Sequence, residues 1–155
     1  MSPQDVSTKE LLDEGLSLQE LLGIAVRAEI EAANIYRNLL EKDLSEQTRE
    51  KLEKLVLQEE RHEKKFWSII RDFYPEEEIT LPEDSGITNP VEIDDSTSLE
   101  ELFRIAMESE VESEKFYKSM REKFEDKEVR RTLGFLAASE RGHYETLKDE
   151  LNRLD

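Results

Sequence analysis

Apolar residues recur every three or four positions along four long stretches of the chain. This is the spacing of an α-helix with one buried face, so it predicts four amphipathic helices. The first and third stretches begin with a capping box, Ser17-x-x-Glu20 and Ser98-x-x-Glu101, which marks where those helices start. The predicted helices cover about residues 17–42, 45–73, 98–123 and 126–153.

The stretch from 74 to 97 interrupts the helical pattern. It holds three of the four prolines, Pro75, Pro82 and Pro90, together with acidic and turn-forming residues. Such a composition ends helices, so it predicts a linker between the second and third helices. A short helical turn is also predicted near the start of the chain, from Lys9 to Glu14.

The two sides of this linker repeat each other. A shift of 81 positions aligns residues 17–66 with 98–147 without a gap, and 16 of the 50 aligned positions are identical. A single offset held over that length indicates a duplicated unit, here a helical hairpin. We therefore predict one all-α domain over 1–155: a four-helix bundle of two repeated hairpins, at about 17–73 and 98–154, joined by a long crossover linker at about 74–97.

Charge and composition narrow the classes of partner. The chain has 22 Lys and Arg against 39 Asp and Glu, a formal net charge of −17, which disfavours nucleic acid and anionic membranes as partners. It has no cysteine, which excludes disulfides, thiolate metal sites and cysteine nucleophiles. No signal peptide and no apolar run of about 20 residues is recognisable, so we expect a cytoplasmic protein with no membrane partner.

Each apolar stripe carries charged residues near its middle. Position 29 of the first helix is Glu, and positions 59 and 62 of the second are Glu and His. The second hairpin repeats this arrangement at equivalent positions. Residues three apart share a helix face, so both side chains of each Glu-x-x-His pair should point inward. The glutamates in the apolar stripes of the other two helices should point inward as well. The six candidate ligands are Glu29, Glu59, His62, Glu110, Glu140 and His143.

Four buried carboxylates repel one another and require a neutralising partner. Two divalent cations would balance four carboxylates, and a set of oxygen and imidazole ligands suits iron, manganese or zinc. Because Glu is abundant in this chain, a single Glu three residues before a His carries little information. Two such pairs occur here, and Glu29 and Glu110 lie at equivalent positions of the two repeats. Together they favour a dinuclear metal site over ion pairs formed by chance.

These residues resemble the rubrerythrin family of the ferritin-like superfamily. The matching motif is Ala-x-x-x-Glu-x-Glu, then Tyr, then Glu-x-x-His, and it occurs twice. The resemblance implies a ferritin-like bundle with two iron ions, in which Glu59 and Glu140 bridge the metals. The terminal ligands would be Glu29, His62, Glu110 and His143. It also implies that Tyr36 and Tyr117 hydrogen-bond to ligand carboxylates as part of the catalytic site; as residues alone they are equally well core aromatics.

The chain departs from the family pattern in two ways. Rubrerythrins carry a cysteine-ligated rubredoxin domain, so here we expect electrons from an external donor protein. They also carry a further Glu three residues after the third-helix ligand, where this chain has Ser113. Glu31 and Glu112 belong to the motif, but they lie about 200° from the ligand direction and are predicted to face solvent. Glu60, Arg61, Glu63, Lys64 and Lys65, which flank His62, are predicted to form an exposed face with ion pairs.

Three functions are compatible with these residues. The resemblance favours an oxidoreductase that reduces hydrogen peroxide or dioxygen. The alternatives are ferritin-like iron oxidation and sequestration, which predicts more than two irons per chain, and a non-catalytic bundle held together by its metals. The long linker is compatible with a closed monomer and with a homodimer that exchanges hairpins.

Overall fold

The computed structural model of the chain describes residues 15–87 and 92–154. Within those ranges the chain forms four α-helices and no strand, which confirms the predicted all-α bundle. The helical turn predicted from Lys9 to Glu14 lies outside the described residues. The helices are α1 (Leu18–Leu40), α2 (Glu46–Phe73), α3 (Leu99–Arg121) and α4 (Lys127–Arg153).

Every helix begins at a capping side chain. Ser17 Oγ accepts a hydrogen bond from the Glu20 backbone N–H at 3.1 Å, and Glu20 accepts one in return from the Ser17 N–H. Ser98 caps α3 through the Glu101 N–H, as the sequence predicts. Ser45 and Asp126 cap α2 and α4. These side chains satisfy backbone donors that the first turn leaves unpaired, so they fix where each helix starts.

The helices pack as two hairpins placed face to face. α1 pairs with α2, α3 pairs with α4, and α1 also packs against α3, whereas α2 and α4 approach each other less closely. Buried apolar residues form two clusters, one around Leu21, Phe66 and Leu133 and the other around Leu39, Leu52 and Leu147. The charged positions in the middle of the helices therefore lie between two apolar layers.

The linker runs alongside α1 toward the start of α3. Ile79 and Pro82 lie against Gly23, where a Cβ atom would meet Ile79 at 3.5 Å. Further along, Ser85 donates from its backbone N–H and its hydroxyl to the Glu31 carboxylate, at 3.0 and 2.5 Å. The prediction that Glu31 faces solvent is wrong, because this carboxylate holds the linker. It does point away from the charged layer, as predicted.

A helix that crosses a membrane needs about 20 consecutive, mostly apolar residues. No helix in the described part of the chain is long and apolar enough to cross a membrane.

Candidate metal centre

The six predicted ligands converge in the middle of the bundle. α1 supplies Glu29 and α3 supplies Glu110, while α2 and α4 each supply a Glu and the His three residues later. The four glutamates are at most 1% exposed, and His62 and His143 are 6% and 4% exposed. The helical spacing places each Glu–His pair on one face, and the bundle then brings four such faces together.

The six residues form two overlapping groups of potential ligands. One contains Glu29, Glu59, His62 and Glu140, and the other contains Glu59, Glu110, Glu140 and His143. Within each group one ligand atom per residue lies within 4.8 Å of the others. Glu59 and Glu140 belong to both groups. Each of the other four residues belongs to one group only.

The two imidazoles lie on either side of the shared carboxylates. The rings of His62 and His143 are nearly parallel, 12° apart, with centroids 5.7 Å apart. Glu140 places Oε1 2.7 Å from His62 Nδ1 and Oε2 3.8 Å from His143 Nδ1. Glu59 Oε1 lies 3.4 Å from His62 Nδ1 and 2.9 Å from His143 Nδ1. Each shared carboxylate therefore has oxygen atoms close to both Nδ1 atoms.

Two buried tyrosines hold the unshared carboxylates, and they do so across the hairpins. Tyr36 on α1 donates its hydroxyl to Glu110 Oε1 on α3, and Tyr117 on α3 donates to Glu29 Oε1 on α1. Both rings are fully buried. Each bond occupies one oxygen, so the other oxygen, Oε2, faces the cluster, 3.5 Å from His62 Nδ1 for Glu29 and 3.6 Å from His143 Nδ1 for Glu110.

Two residues that orient the imidazoles are absent from the sequence-based site. His143 Nε2 lies 2.7 Å from Gln58 Oε1, and His62 Nε2 lies 3.1 Å from Ser139 Oγ. Because the Gln58 oxygen can only accept, Nε2 of His143 donates to it and Nδ1 faces the cluster, and the Ser139 hydroxyl can accept from Nε2 of His62 in the same way. Gln58 and Ser139 are equivalent positions of the repeat, each directly before a shared Glu. That position was the signal available in the sequence, but each residue contacts the histidine of the other hairpin.

Several buried ligand atoms have no hydrogen-bond partner in the described structure. They are Oε2 of Glu29, Glu110 and Glu140, both oxygens of Glu59, and Nδ1 of His143. Buried polar atoms are almost always paired, because an unpaired one loses its hydration without compensation. All six atoms belong to the ligand set and all are good donors to a divalent cation. The residues therefore fit a pair of metal ions, which would occupy these unpaired atoms.

Burial and mutual repulsion raise the pKa values of three of the four carboxylates in the metal-free cluster. Burial, reinforced by the charge of Glu59, raises the pKa of Glu29 to about 8 and also raises the pKa of Glu110. The same causes raise the pKa of Glu140 well above its usual value. Glu59 differs, because its close contacts with both histidines outweigh burial and lower its pKa to about 2.

The histidines are shifted in the opposite direction from a simply buried imidazole. Burial acts to lower their pKa values, but the surrounding carboxylates outweigh it and raise the pKa of His62 to about 9 and that of His143 to about 10. Burial also raises the pKa of Tyr36 and Tyr117, so both keep their protons. The metal-free cluster thus holds protons that a metal must displace, since metal ligands bind in their deprotonated form.

The comparisons with known proteins agree with this arrangement. The family model described as Rubrerythrin matches residues 20–151, which includes all six cluster residues. This chain belongs to the rubrerythrin family. A solved structure of a hypothetical protein from Pyrococcus furiosus is 30% identical, with a TM-score of 0.82, and the match covers 95% of this chain and 94% of that one. No curated protein matches the chain.

One difference from the rubrerythrin motif is now visible in the structure. Ser113, at the position where the family pattern has a further Glu, is 3% exposed and lies on the inner face of α3 one turn beyond Glu110. Because a serine hydroxyl replaces a carboxylate there, the cluster in the described structure consists of four glutamates and two histidines, which are compatible with a metal centre.

Proposed function

We propose that this rubrerythrin-family protein is a di-iron oxidoreductase that reduces hydrogen peroxide or dioxygen. One observation carries the proposal: two groups of four ligands share Glu59 and Glu140. Two metal ions held by ligand groups that share two carboxylates would suit a two-electron reaction with an oxygen–oxygen bond. For peroxide the balance is one H₂O₂, two electrons and two protons giving two waters.

The protein's own residues would hold the ions and manage protons. Glu59 and Glu140 would bridge, Glu29 with His62 and Glu110 with His143 would complete the two sites, and the iron ions would supply the redox chemistry. Tyr36 and Tyr117 orient the unshared carboxylates and keep a proton one hydrogen bond from the ligands. Apolar layers above and below limit water at the cluster.

Electrons would come from an external donor protein, as the cysteine-free sequence leads us to expect. Two electrons per peroxide must be replaced after each turnover. The substrate, the identity of the metal as iron rather than manganese or zinc, and the donor all belong to this proposal.

The test is to reconstitute the protein with Fe²⁺ without oxygen, measure iron per chain, and follow peroxide loss with a chemical reductant. We expect about two irons per chain and multiple turnovers. Glu59→Gln should lose iron and turnover. The matched control is Glu53→Gln, on the exposed face of the same helix, which should retain both.

Other results would contradict the proposal in recognisable ways. Many irons per chain would favour sequestration. About two metals with no loss of peroxide or dioxygen would favour a structural metal pair. Full iron content in Glu59→Gln would show that the shared carboxylate is not a ligand.

A further inference from the structure

Two pockets lie between α2 and α4, which pack less closely than the two hairpins do internally or than α1 does against α3. The Phe135 pocket has a volume of about 470 Å³ and is lined by Arg61, His62, Lys65, Arg131, Thr132, Phe135 and Leu136. The Lys54 pocket is lined by Lys51, Lys54, Leu55, Gln58, Thr146 and Asp149 and measures about 230 Å³. The 81-residue repeat relates the two, since Lys54 and Leu55 are equivalent to Phe135 and Leu136.

The Phe135 pocket offers an apolar surface to solvent. Phe135 is 69% exposed, the largest exposed fraction among the large hydrophobic residues of the described chain, and it lies beside the buried Leu136. The aliphatic stems of Arg61 and Lys65 extend this surface, because long basic side chains place methylene groups along apolar contacts. A cavity of this size, with mostly apolar walls and a few polar groups, is typical of small-ligand sites.

The rim of this pocket is positively charged without a protein counterion. The side chains of Arg61, Lys65 and Arg131 form no ion pair or hydrogen bond with any residue in the described ranges, and no carboxylate lines the pocket. The prediction of an ion-paired face here is wrong for Arg61 and Lys65, although Glu60 does pair with Arg37. In a chain of net charge −17, three unpaired cations around one cavity are a local reversal of the surface charge.

The equivalent pocket lacks both features. Where one pocket has Phe135 the other has Lys54, and where one has Arg131 the repeat has Glu50. The Lys54 pocket also includes Asp149, and Lys51 at its edge is paired with Glu150 at 3.0 Å. The metal cluster needs the same ligands from each hairpin, but it does not need this asymmetry. The difference therefore requires a separate explanation.

We propose that the Phe135 pocket binds an aliphatic carboxylate. The alkyl chain would lie on Phe135 and Leu136, and the carboxylate would be held by Arg61, Lys65 and Arg131. Charge complementarity selects an anion, and the apolar wall selects one with an alkyl chain over an inorganic anion. Bound there, the ligand would lie beside the outer edge of His62, on the side away from the cluster. Binding does not depend on the reaction that the metals perform.

Calorimetric titration of the metal-loaded protein with octanoate tests this assignment. We expect saturable binding of one octanoate per chain, weakened by added salt, and weaker binding of octanol, which lacks the charge. Each methylene removed, from octanoate to hexanoate, should weaken binding about fourfold if the chain is buried. Arg131→Glu should weaken octanoate binding about tenfold or more.

Lys54→Glu is the matched control, because it makes the same charge change in the equivalent pocket. It should leave octanoate binding within about twofold of the parent protein. Phe135→Lys, which copies the residue of the Lys54 pocket, should remove the dependence on chain length. Each altered residue is solvent-exposed, and a thermal melt verifies that the variants fold.

Three results would overturn the proposal. The first is no octanoate binding to the parent protein. The second is equal weakening by Arg131→Glu and Lys54→Glu, which would indicate attraction to the whole surface. The third is a dimer that Phe135→Lys dissociates and that does not bind octanoate, because a second copy would then cover the pocket. Peroxide turnover is measured separately, so either proposal can fail while the other stands.

Discussion

The two hairpins supply the same ligands and tyrosines to the cluster and differ at many other positions. The first supplies Glu29, Glu59 and His62, and the second supplies the equivalent residues 81 positions later. Their tyrosines also exchange equivalent bonds, Tyr36 to Glu110 and Tyr117 to Glu29. The six ligand positions and the two tyrosine positions are thus identical in both copies, whereas other positions have diverged, including Gln58 and Ser139, which contact the histidines.

The two ends of the bundle show how far the divergence extends into the interior. At one end Ile69 and Val129 belong to an apolar cluster. Their equivalents at the other end are Glu150 and Thr48, which are also buried. Thr48 donates its hydroxyl to Glu150 Oε1 at 2.8 Å, and Lys51 pairs with Oε2 at 3.0 Å. The same place in the repeat can therefore hold an apolar pair or a buried carboxylate with partners.

The largest effect should come from removing one imidazole at a time. If the hairpins contribute equally, His62→Ala and His143→Ala should each lower the metal content from about two ions per chain to about one. Metal analysis after reconstitution measures this, with Lys64→Ala as an exposed control on α2. Unequal losses would show that the two sites differ in affinity, and full retention in either variant would contradict the ligand assignment.

A second prediction concerns the pH dependence of the metal-free protein. The pKa values of Glu29, His62 and His143 are raised to about 8, 9 and 10, so the folded state binds protons more tightly than the unfolded chain. The stability from these protons is present at low pH and is lost as pH rises, from about pH 4.5 to 8 for Glu29 and from about 6.5 to 10 for the histidines.

Each such proton changes the free energy of unfolding by about 1.4 kcal/mol per pH unit within its window. Melting temperatures measured between pH 6 and 9 should therefore fall for the metal-free protein. They should change little for the metal-loaded protein, whose ligands are already deprotonated. If the melting temperatures of the two forms changed equally with pH, the prediction that the metal-free cluster binds extra protons would be wrong. Glu59 contributes in the opposite sense, because its lowered pKa adds stability that is lost only in acid.

A third prediction tests the unequal ends of the bundle. Thr48→Val removes the hydroxyl that bonds to the buried Glu150 and should lower the free energy of unfolding by about 1.5–3 kcal/mol. Thr48→Val combined with Glu150→Ile copies the apolar end and should recover most of that loss, because an apolar pair replaces a buried charge. Urea unfolding measures both. A double variant less stable than the single one would show that the carboxylate itself is required there.

The smallest effect expected is at the residues that orient the imidazoles. Gln58→Ala and Ser139→Ala remove the acceptors at Nε2 of His143 and His62, and each should weaken metal binding by about tenfold. Competition with a chelator measures the change. The shorter contact, 2.7 Å for Gln58 against 3.1 Å for Ser139, leads us to expect the larger loss for Gln58→Ala. A larger loss of metal affinity for Ser139→Ala than for Gln58→Ala would show that the length of this contact does not determine its effect on metal binding.

The helices and the composition of the cluster follow from the sequence. Predicted helices at about 17–42 and 98–123 are observed as Leu18–Leu40 and Leu99–Arg121, because the caps and apolar spacing are local signals. The six cluster residues were identified because charge interrupts an apolar stripe at equivalent positions. The prediction that Glu31 faces solvent is wrong because its partner, Ser85, lies in the linker. The linker has no periodic pattern from which its path over the helices could be predicted.

The sequence by itself determined four helices, a duplicated hairpin and six inward-facing charged residues, since these depend on spacing within a few turns of helix. Only the tertiary structure decided which residues meet. Tyr36 bonds to Glu110 rather than to the glutamate of its own helix, and Gln58 contacts the histidine of the other hairpin. The physical reason is that residues two turns apart on a straight helix are about 10 Å apart, whereas packing brings side chains of different helices into direct contact.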